Sequence, residues 1–144
     1  MIRKATKQDL TCIAEMAIMM WDSNSVEELE EEFGKVLDNK ECAIYLYCID
    51  HMPIGFAQCG LRHDYVEGTE SSPVGYLEGI FIREGHRKNG YARDLLAECE
   101  KWAKQKGCFE FASDCELDNS VSFDFHMNMG FTEANRIICF TKQI

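Results

Sequence analysis

The segment from Val74 to Leu96 contains the residues of this chain that are best suited to chemistry. It runs from an apolar strand through a basic, glycine-containing loop into an amphipathic helix. A loop that opens a helix offers free backbone N–H groups at the positive end of the helix dipole, and such groups bind phosphate. One acid, Glu78, lies inside the otherwise apolar strand. The segment therefore predicts a site for a phosphate-bearing ligand.

Two known phosphate-binding patterns do not fit this loop. Gly85 and Gly90 have the spacing of a Walker loop, but Tyr91 and Ala92 stand where the lysine and the magnesium-binding hydroxyl should follow. The glycine fingerprint of dinucleotide-binding folds is also missing, so the pattern disfavours nucleotide hydrolysis. An ordinary strand–loop–helix connection with surface cations is the other interpretation of this segment.

The hydrophobic periodicity predicts the element order β-α-α-β-β-β-α-β-α-β. Helices are too few for a doubly wound sheet, and the early hairpin favours a mixed α+β structure built in layers. The predicted strands cover residues 2–5, 42–49, 54–61, 76–83 and 109–113, with a final strand or strands over 132–142. The predicted helices lie between residues 6 and 21, 25 and 37, 91 and 107, and 119 and 129.

Length and charge limit the possible classes of protein. The 144 residues are enough for one domain with a core, which we expect to span residues 1–144. The net charge of −10 argues against nucleic acid or an anionic membrane as the main partner and is compatible with a cationic substrate, although many cytosolic proteins are acidic merely for solubility. The polar N-terminal residues lack the apolar core of a signal peptide, and no apolar run reaches the length of a membrane span, so a cytoplasmic location is expected.

The chain contains eight cysteines, and none forms a Cys-x-x-Cys pair. Most of them occupy apolar positions of predicted strands or helices. This distribution favours reduced cysteines that pack as small hydrophobic side chains over disulfides. It also disfavours structural zinc, and no metal site is expected.

The six residues from Arg87 to Ala92 read Arg-Lys-Asn-Gly-Tyr-Ala. They resemble the Arg/Gln-x-x-Gly-x-Gly/Ala signature of the Gcn5-related N-acetyltransferases. Asn119 and the Met-Gly-Phe sequence that ends the last helix strengthen the likeness. Longer segments resemble the bacterial aminoglycoside 6'-N-acetyltransferases in particular. These segments are residues 62–68, 71–74, 77–81, 111–114 and 130–131.

The resemblance implies a three-layer α/β arrangement: a mixed, mostly antiparallel central sheet flanked by helices and splayed between strands 4 and 5. Acetyl-CoA would lie in the splay, with its pyrophosphate on the backbone of the basic loop and its pantetheine along the fourth strand. Gly90 would permit close approach of backbone to phosphate. The implied cofactor-binding residues are Ile80, Phe81, Ile82, Arg87, Lys88, Asn89, Gly90, Tyr91, Ala92 and Asn119.

By the same resemblance, the protein would transfer an acetyl group directly from acetyl-CoA to a primary amine, with the 6'-amine of an aminoglycoside as the favoured acceptor. Glu78 would take the proton of the amine as a general base, whereas an ion-paired structural carboxylate is the alternative. His126 holds the place where many relatives carry a tyrosine that protonates the departing thiolate. A packed or solvated helix histidine is the other interpretation of that position.

The resemblance also implies a set of residues that bind the acceptor. Asp114 would bind ammonium groups, unless it only caps a helix. Trp21 and Tyr65 present aromatic faces that suit sugar rings and cations, although simple packing explains them equally well. Asn135 stands where the relatives carry an acid, which leaves the substrate range open. Together with Glu78, these four residues form the predicted acceptor site.

Two other functions are compatible with the sequence. The enzyme could acetylate a polyamine, a metabolite amine or a protein amine, and a CoA-binding regulatory module would not turn over at all. Retention of Glu78 and Asp114 disfavours the module. The acidic run from Glu27 to Glu32 could attract a polycation, but a solvated helix face explains it more simply. The resemblance further implies a homodimer formed through the apolar stretch from Ile137 to Phe140.

Overall fold

The computed structural model describes all 144 residues and contains one five-stranded sheet. The strands are β1 (Ile2–Lys4), β2 (Cys42–Ile49), β3 (Met52–Arg62), β4 (Val74–Ile82) and β5 (Phe111–Ala112). They follow one another across the sheet in chain order. Every neighbouring pair is antiparallel except β4 and β5, which are parallel and are therefore joined by a crossover rather than a hairpin.

The helices are α1 (Leu10–Ala17), α2 (Val26–Asp38), α3 (Tyr91–Gln105) and α4 (Ser120–Asn128), with short 3₁₀ turns at Lys7–Asp9 and Glu84–His86. Local capping explains where they begin. The Ser25 hydroxyl accepts a hydrogen bond from the Glu28 amide at 3.1 Å ahead of α2. The Asp9 carboxylate accepts one from the Thr6 amide at 2.8 Å ahead of α1. None of the helices has the length and apolar composition that crossing a membrane requires.

Apolar side chains cover both faces of the sheet. On one face, α3 buries Leu95, Leu96, Cys99, Trp102 and Ala103 against β2, β3 and β4, and α4 adds Phe125 at the margin. On the other face, α1 and α2 bury a second cluster against the same strands; its members include Ile13, Met16, Leu29, Phe33, Phe56 and Phe81. Helices therefore form the two outer layers around the sheet, and the predicted three-layer α+β arrangement is confirmed.

The two parallel strands pair over a very short length. β4 and β5 are aligned only at Gly75 opposite Phe111 and at Tyr76 opposite Ala112. Beyond these positions β4 continues for six more residues beside β3, whereas β5 ends. The sheet consequently opens between strands 4 and 5, as the sequence predicted.

Two predicted boundaries are wrong. The final strand over residues 132–142 does not form, because this segment makes no backbone–backbone hydrogen bonds and a strand needs a neighbour to pair with. Its apolar side chains, including Ile137 and Phe140, are exposed. The first helix ends at Ala17 rather than at Trp21, although the Trp21 amide still donates to the Ala17 carbonyl at 2.9 Å.

Candidate active site

The loop between β4 and α3 leaves a row of backbone N–H groups without backbone acceptors. The amides of residues 88 to 93 donate to no other main-chain group, and the first amide of the helix that does so is that of Asp94, to the Gly90 carbonyl at 3.1 Å. Lys88 and Gly90 have positive φ angles of 65° and 82°. Left-handed residues within such a turn form concave arrangements of amides that bind anions. The backbone here is therefore built to hold an anionic group.

Side chains of the same loop hold its shape. The Arg87 Nε donates to the Ile82 carbonyl at 2.9 Å, which ties the loop back to the end of β4. The Asn89 side-chain amide donates to the His86 carbonyl at 3.0 Å. Both predicted cofactor residues are thus engaged in fixing the loop, and the unbonded amides rather than these two side chains are the groups left for an anion.

The start of α3 is anchored to the core. The Tyr91 ring lies 4.3 Å, centroid to centroid, from the ring of Tyr47 on β2. Ala92 is partly buried against the core cluster that α3 forms with the sheet, and its small side chain adds little bulk to the first turn of the helix. Lys88 makes no ion pair within the chain, so its charge is free to meet a ligand. The first turn of α3 is therefore packed against the core on one side, and its other side is accessible to a ligand.

The second half of β4 has one free edge. Ile80, Phe81 and Ile82 are aligned with β3 along one side of the strand. The pairing with β5 on the other side stops at Tyr76. An extended ligand with amide groups can pair with such an edge as an additional strand would. The three predicted residues therefore lie where a pantetheine-like arm could bind.

Glu78 lies at an irregularity of this strand. Gln58 and Cys59 are consecutive on β3, yet they pair with Gly79 and Leu77, so Glu78 is the extra residue of a β-bulge. A bulge interrupts the strict alternation of side chains and re-aims the residue that it contains. This explains how an acid occupies an otherwise apolar central strand without entering the core.

Arg62, the last residue of β3, holds the Glu78 carboxylate. Its Nε lies 3.2 Å from Oε1, and its Nη2 lies 3.0 Å from both Oε1 and Oε2. The ion-paired alternative for Glu78 is therefore present in the structure. One third of the Glu78 side chain (33%) remains accessible, as does 43% of the Arg62 side chain. A cationic acceptor can therefore approach the carboxylate.

Arg62 also connects this acid to a second one. Its guanidinium carbon lies 3.4 Å from the centroid of the Tyr76 ring, and the Tyr76 hydroxyl donates to the Asp114 carboxylate. Burial raises the pKa of Tyr76, and the bond to Asp114 adds to the shift, so the phenol stays protonated as a donor. Asp114 does not cap α4, since Asn119 occupies that position. The two carboxylates thus flank one cation and one aromatic ring.

Trp21 lines the same cavity as Glu78. A Cβ atom added to Gly79 would come within 2.8 Å of the indole ring, so the ring lies directly on the glycine. Glu32 of α2 extends into the same space, whereas most of the acidic run lies on the outer face of that helix. The result is a cavity of about 260 Å³ lined by Trp21, Asn24, Leu29, Glu32, Phe33, Val36, Gln58 and Glu78.

Tyr65 and Asn135 are not among the residues that line this cavity. Tyr65 is 76% exposed on the loop between β3 and β4. The Asn135 side-chain amide donates to Glu67 of that loop at 2.9 Å. Neither residue is hydrogen-bonded to Glu78 or Asp114, so the structure does not join them to the two acids. Glu67 thus places a carboxylate beside Asn135, the position at which the resemblance implies an acid.

Helix α4 carries the two remaining predicted residues. The Asn119 Oδ1 accepts from the Ser122 amide at 3.1 Å, which leaves the NH₂ group of its side chain free. The His126 Nδ1 lies 2.7 Å from the Ser122 carbonyl oxygen, and its Nε2 lies 2.7 Å from the Ser113 hydroxyl. Both nitrogens of His126 are therefore hydrogen-bonded, one to Ser122 within α4 and the other to Ser113, the residue that follows β5.

Three residues of the site were not singled out from the sequence: Arg62, Tyr76 and Ser113. Arg62 and Ser113 lie in segments that resemble the aminoglycoside 6'-N-acetyltransferases, but the resemblance implied no role for them, and Tyr76 lies outside those segments. Each of the three contacts a partner on another strand or helix. Their pairing depends on the bulge and on the separation of β4 from β5, which local periodicity does not predict.

Taken together, the site combines an anion-binding loop, a free strand edge and a cluster of acids beside aromatic rings. This combination suits a long phosphate-bearing donor on one side of the splay and a cationic acceptor on the other. No group of three His, Cys, Asp or Glu side chains is placed to bind a metal ion.

Comparison with known proteins identifies the family. A model of the acetyltransferase (GNAT) family matches residues 13–131. An aminoglycoside N(6')-acetyltransferase type 1 from Acinetobacter haemolyticus is 38% identical over 99% of this chain and 98% of its own length. One from Stenotrophomonas maltophilia is 38% identical over 96% of this chain and 90% of its own length.

Solved structures agree with the sequence relatives. The apo crystal structure of an aminoglycoside antibiotic 6'-N-acetyltransferase from A. haemolyticus has a TM-score of 0.96 and 38% identity, covering 100% of this chain and 99% of its own. A second structure, of AAC(6')-Iy in complex with the bisubstrate analogue CoA-S-monomethyl-acetylneamine, has a TM-score of 0.95 and 34% identity, covering 100% and 98%. By sequence and by fold, the chain belongs to the acetyltransferase (GNAT) family.

Proposed function

We propose that this protein transfers an acetyl group from acetyl-CoA to a primary amine, and that the 6'-amine of an aminoglycoside is its acceptor. Residues 1–144 act as one catalytic domain in this proposal. The observation that carries it is the joint placement of six unbonded amides at the start of α3, the free edge of β4 and the Glu78–Asp114 pair around one splay. Relatives of 32–38% identity named for this activity support the choice of acceptor.

The donor side of the site fits acetyl-CoA. Amides 88 to 93 would bind the pyrophosphate, with Gly90 leaving the backbone approachable and Lys88 adding positive charge. The backbone from Ile80 to Ile82 would pair with the amide groups of the pantetheine arm. The free NH₂ group of Asn119 would donate to the same arm. Bound acetyl-CoA supplies the activated acyl group, and the remaining steps rest on this chain's own side chains.

The acceptor side fits a polycationic sugar. Glu78 and Glu32 line the cavity, Asp114 is joined to Glu78 through Tyr76 and Arg62, and Glu67 would add a further negative charge beside Asn135. The faces of Trp21 and Tyr65 suit sugar rings. Pairing several ammonium groups with several carboxylates selects multiply charged amines over simple ones, because each additional pair adds affinity. Asn135 would contact the acceptor through its amide, next to Glu67.

The chemistry assigned to the site is proton removal followed by attack on the acyl carbon. An ammonium group is unreactive, so Glu78 would accept a proton from the bound amine, directly or through water. A backbone N–H of β4 near Ile80 or Phe81 would donate to the acyl oxygen as negative charge develops there. His126 would help to protonate the sulfur of CoA as it leaves. The eight cysteines are free thiols, as is usual in reducing compartments, and we propose a cytoplasmic location.

An assay of thiol release from acetyl-CoA with a panel of amines tests this function. We expect release with aminoglycosides that carry a 6'-amine and none with matched compounds that carry a 6'-hydroxyl. Faster release with polyamines, metabolite amines or peptide lysines would replace the proposed acceptor. Tight acetyl-CoA binding without release for any amine would instead favour a regulatory module.

Asp114→Asn tests the acceptor side separately. Asparagine can still accept the hydrogen bond from Tyr76, but it lacks the negative charge that attracts an ammonium group. We expect the KM for the aminoglycoside to rise about tenfold, which corresponds to about 1.4 kcal/mol, with a shallower salt dependence and an unchanged Kd for acetyl-CoA. Asp118→Asn, in the exposed loop before α4, is the control and should behave as the wild type. A wild-type KM in Asp114→Asn would remove this residue from the acceptor site.

We also propose that the protein is a homodimer formed through its C-terminal segment. In the isolated chain, Ile137, Ile138 and Phe140 are 69%, 80% and 87% exposed, and the segment pairs with no strand. Such apolar side chains are usually covered by a partner. The free outer edge of the sheet at β5 is available for strand pairing.

The mass in solution tests this arrangement. Light scattering should give twice the chain mass of 16.6 kDa for the wild type. Ile138→Asp should shift the mass towards that of one chain, because burying an unpaired carboxylate in an apolar contact is unfavourable. Met52→Asp, at the distant β2–β3 turn, removes another exposed apolar side chain (66% exposed) and should leave the dimer intact. A monomeric wild type would contradict the proposal.

A further inference from the structure

The hydrogen bonds of His126 determine where its protons lie. Nδ1 faces the carbonyl oxygen of Ser122 at 2.7 Å, and a carbonyl oxygen can only accept, so Nδ1 carries a hydrogen. Nε2 then faces the Ser113 hydroxyl at 2.7 Å as an acceptor when the ring is neutral and as a donor when it is charged. Because a hydroxyl can turn, Ser113 satisfies the ring in both states.

Aromatic contacts fix the imidazole in this position. The Phe131 ring lies 5.1 Å from it and the Phe125 ring 5.5 Å from it, measured between centroids. Two rings and two hydrogen bonds leave His126 with one orientation. Nε2 is therefore covered by the Ser113 hydroxyl, and any proton that leaves His126 through Nε2 must pass to that hydroxyl.

Ser113 is the first residue after β5, at the point where β4 and β5 separate. Its hydroxyl also lies 3.4 Å from the Leu77 carbonyl oxygen of β4. It therefore stands at the fork of the splay, next to Asp114 in the chain and beside the strand that carries Glu78. In the proposed function, the acyl group and its sulfur must reach this fork to meet an amine held by those two acids.

From this geometry we infer that Ser113 is a further catalytic residue, which donates the proton that the sulfur of CoA takes up, and that His126 is a positioning residue that supplies Ser113 with that proton. The inference rests on the proposed function. As the C–N bond forms and the C–S bond breaks, the electron pair of the C–S bond goes to sulfur. The sulfur takes the hydroxyl proton of Ser113, and Ser113 takes the Nε2 proton of a charged His126. The nitrogen loses two protons: Glu78 takes the first from the bound ammonium and passes it to water before the attack, and it takes the second as the C–N bond forms. His126 regains its Nε2 proton from solvent by the reverse route, through the Ser113 hydroxyl.

The acidity of the CoA thiol in the binary complex tests the inference without any acceptor. A hydrogen bond from Ser113 to sulfur stabilises the thiolate, so we expect the acidity constant of bound CoA to be about tenfold higher in the wild type than in Ser113→Ala. The thiolate absorbance is measured as a difference spectrum against desulfo-CoA. Ser113→Thr keeps the hydroxyl and should restore the wild-type value. Ser120→Ala, on the exposed start of α4, is the matched serine control.

A donor with a better leaving group provides the kinetic test. Ser113→Ala should lower kcat at least tenfold with acetyl-CoA but leave it unchanged with the selenoester analogue, because a selenolate leaves without a proton. Equal losses with both donors, or equal thiol acidity in the wild type and Ser113→Ala, would overturn the inference. An acetyl group found on Ser113 by mass spectrometry would also overturn it, in favour of a nucleophilic serine. Failure of the wild type to bind CoA would instead refute the proposed function itself.

Discussion

Glu78→Gln is expected to lower kcat for acetyl transfer by about 10²–10⁴-fold, the usual contribution of a general base. Glutamine has the shape of the acid and keeps an oxygen for the Arg62 hydrogen bonds, but it cannot take a proton from an ammonium group. The Kd for acetyl-CoA should not change, because the carboxylate belongs to the acceptor side of the splay. Steady-state kinetics and equilibrium binding measure the two quantities.

The control for this variant must remove an ion-paired carboxylate elsewhere. Glu31→Gln does so on the outer face of α2, where the acid pairs with Lys35 at 3.5 Å. Both substitutions act on exposed pairs, so we expect each to change the free energy of unfolding by less than about 1 kcal/mol. A normal kcat with a raised KM in Glu78→Gln would make Glu78 an acceptor-binding residue rather than the base.

Gly90→Val is expected to raise the Kd for acetyl-CoA at least tenfold. No atom lies within 4 Å of an added Cβ at this position, so the side chain does not clash with the protein itself. The penalty comes from two other sources. A β-branched residue at a φ of 82° is strained by about 1–2 kcal/mol, and its methyl groups would stand in front of the amides that face the pyrophosphate.

Gly85→Val separates these causes from a general effect of bulk on the loop. Gly85 also has open space around it, but its φ is not in the left-handed region. We therefore expect near-normal acetyl-CoA affinity for Gly85→Val and an intermediate loss for Gly90→Ala. Calorimetric titration with acetyl-CoA measures all three. Equal affinities in the two valine variants would argue against the assignment of amides 88 to 93 to the pyrophosphate.

The tertiary structure corrects the sequence interpretation at positions whose conformation or hydrogen-bond partner depends on residues far away in the chain. The strand expected over residues 132–142 has suitable residues, but no neighbour within the chain offers it hydrogen bonds. Asp114 is a possible helix cap in the sequence, yet Asn119 caps the helix. The Asp114 carboxylate instead accepts a hydrogen bond from the Tyr76 hydroxyl. In both cases a local propensity was compatible with several partners.

The amino-acid sequence by itself determined most of the elements and singled out the loop at which we propose that phosphate binds. Capping at Ser25, the run from Glu84 to Ala92 and the periodicity of α3 are local features, because each depends on residues within about two turns of one another. The order of those elements predicted a mixed α+β structure built in layers, and the family resemblance implied the three-layer arrangement.

Only the tertiary structure brought together the residues of the proposed acceptor end and of the proposed proton path. The bulge that re-aims Glu78, the reach of Arg62 to it, and the Ser113–His126 contact join residues that are 13 or 16 positions apart. Their meeting depends on strand register and on the separation of β4 from β5. A single-residue change of register would move each side chain to the opposite face, and that register is set by the packing of the whole sheet.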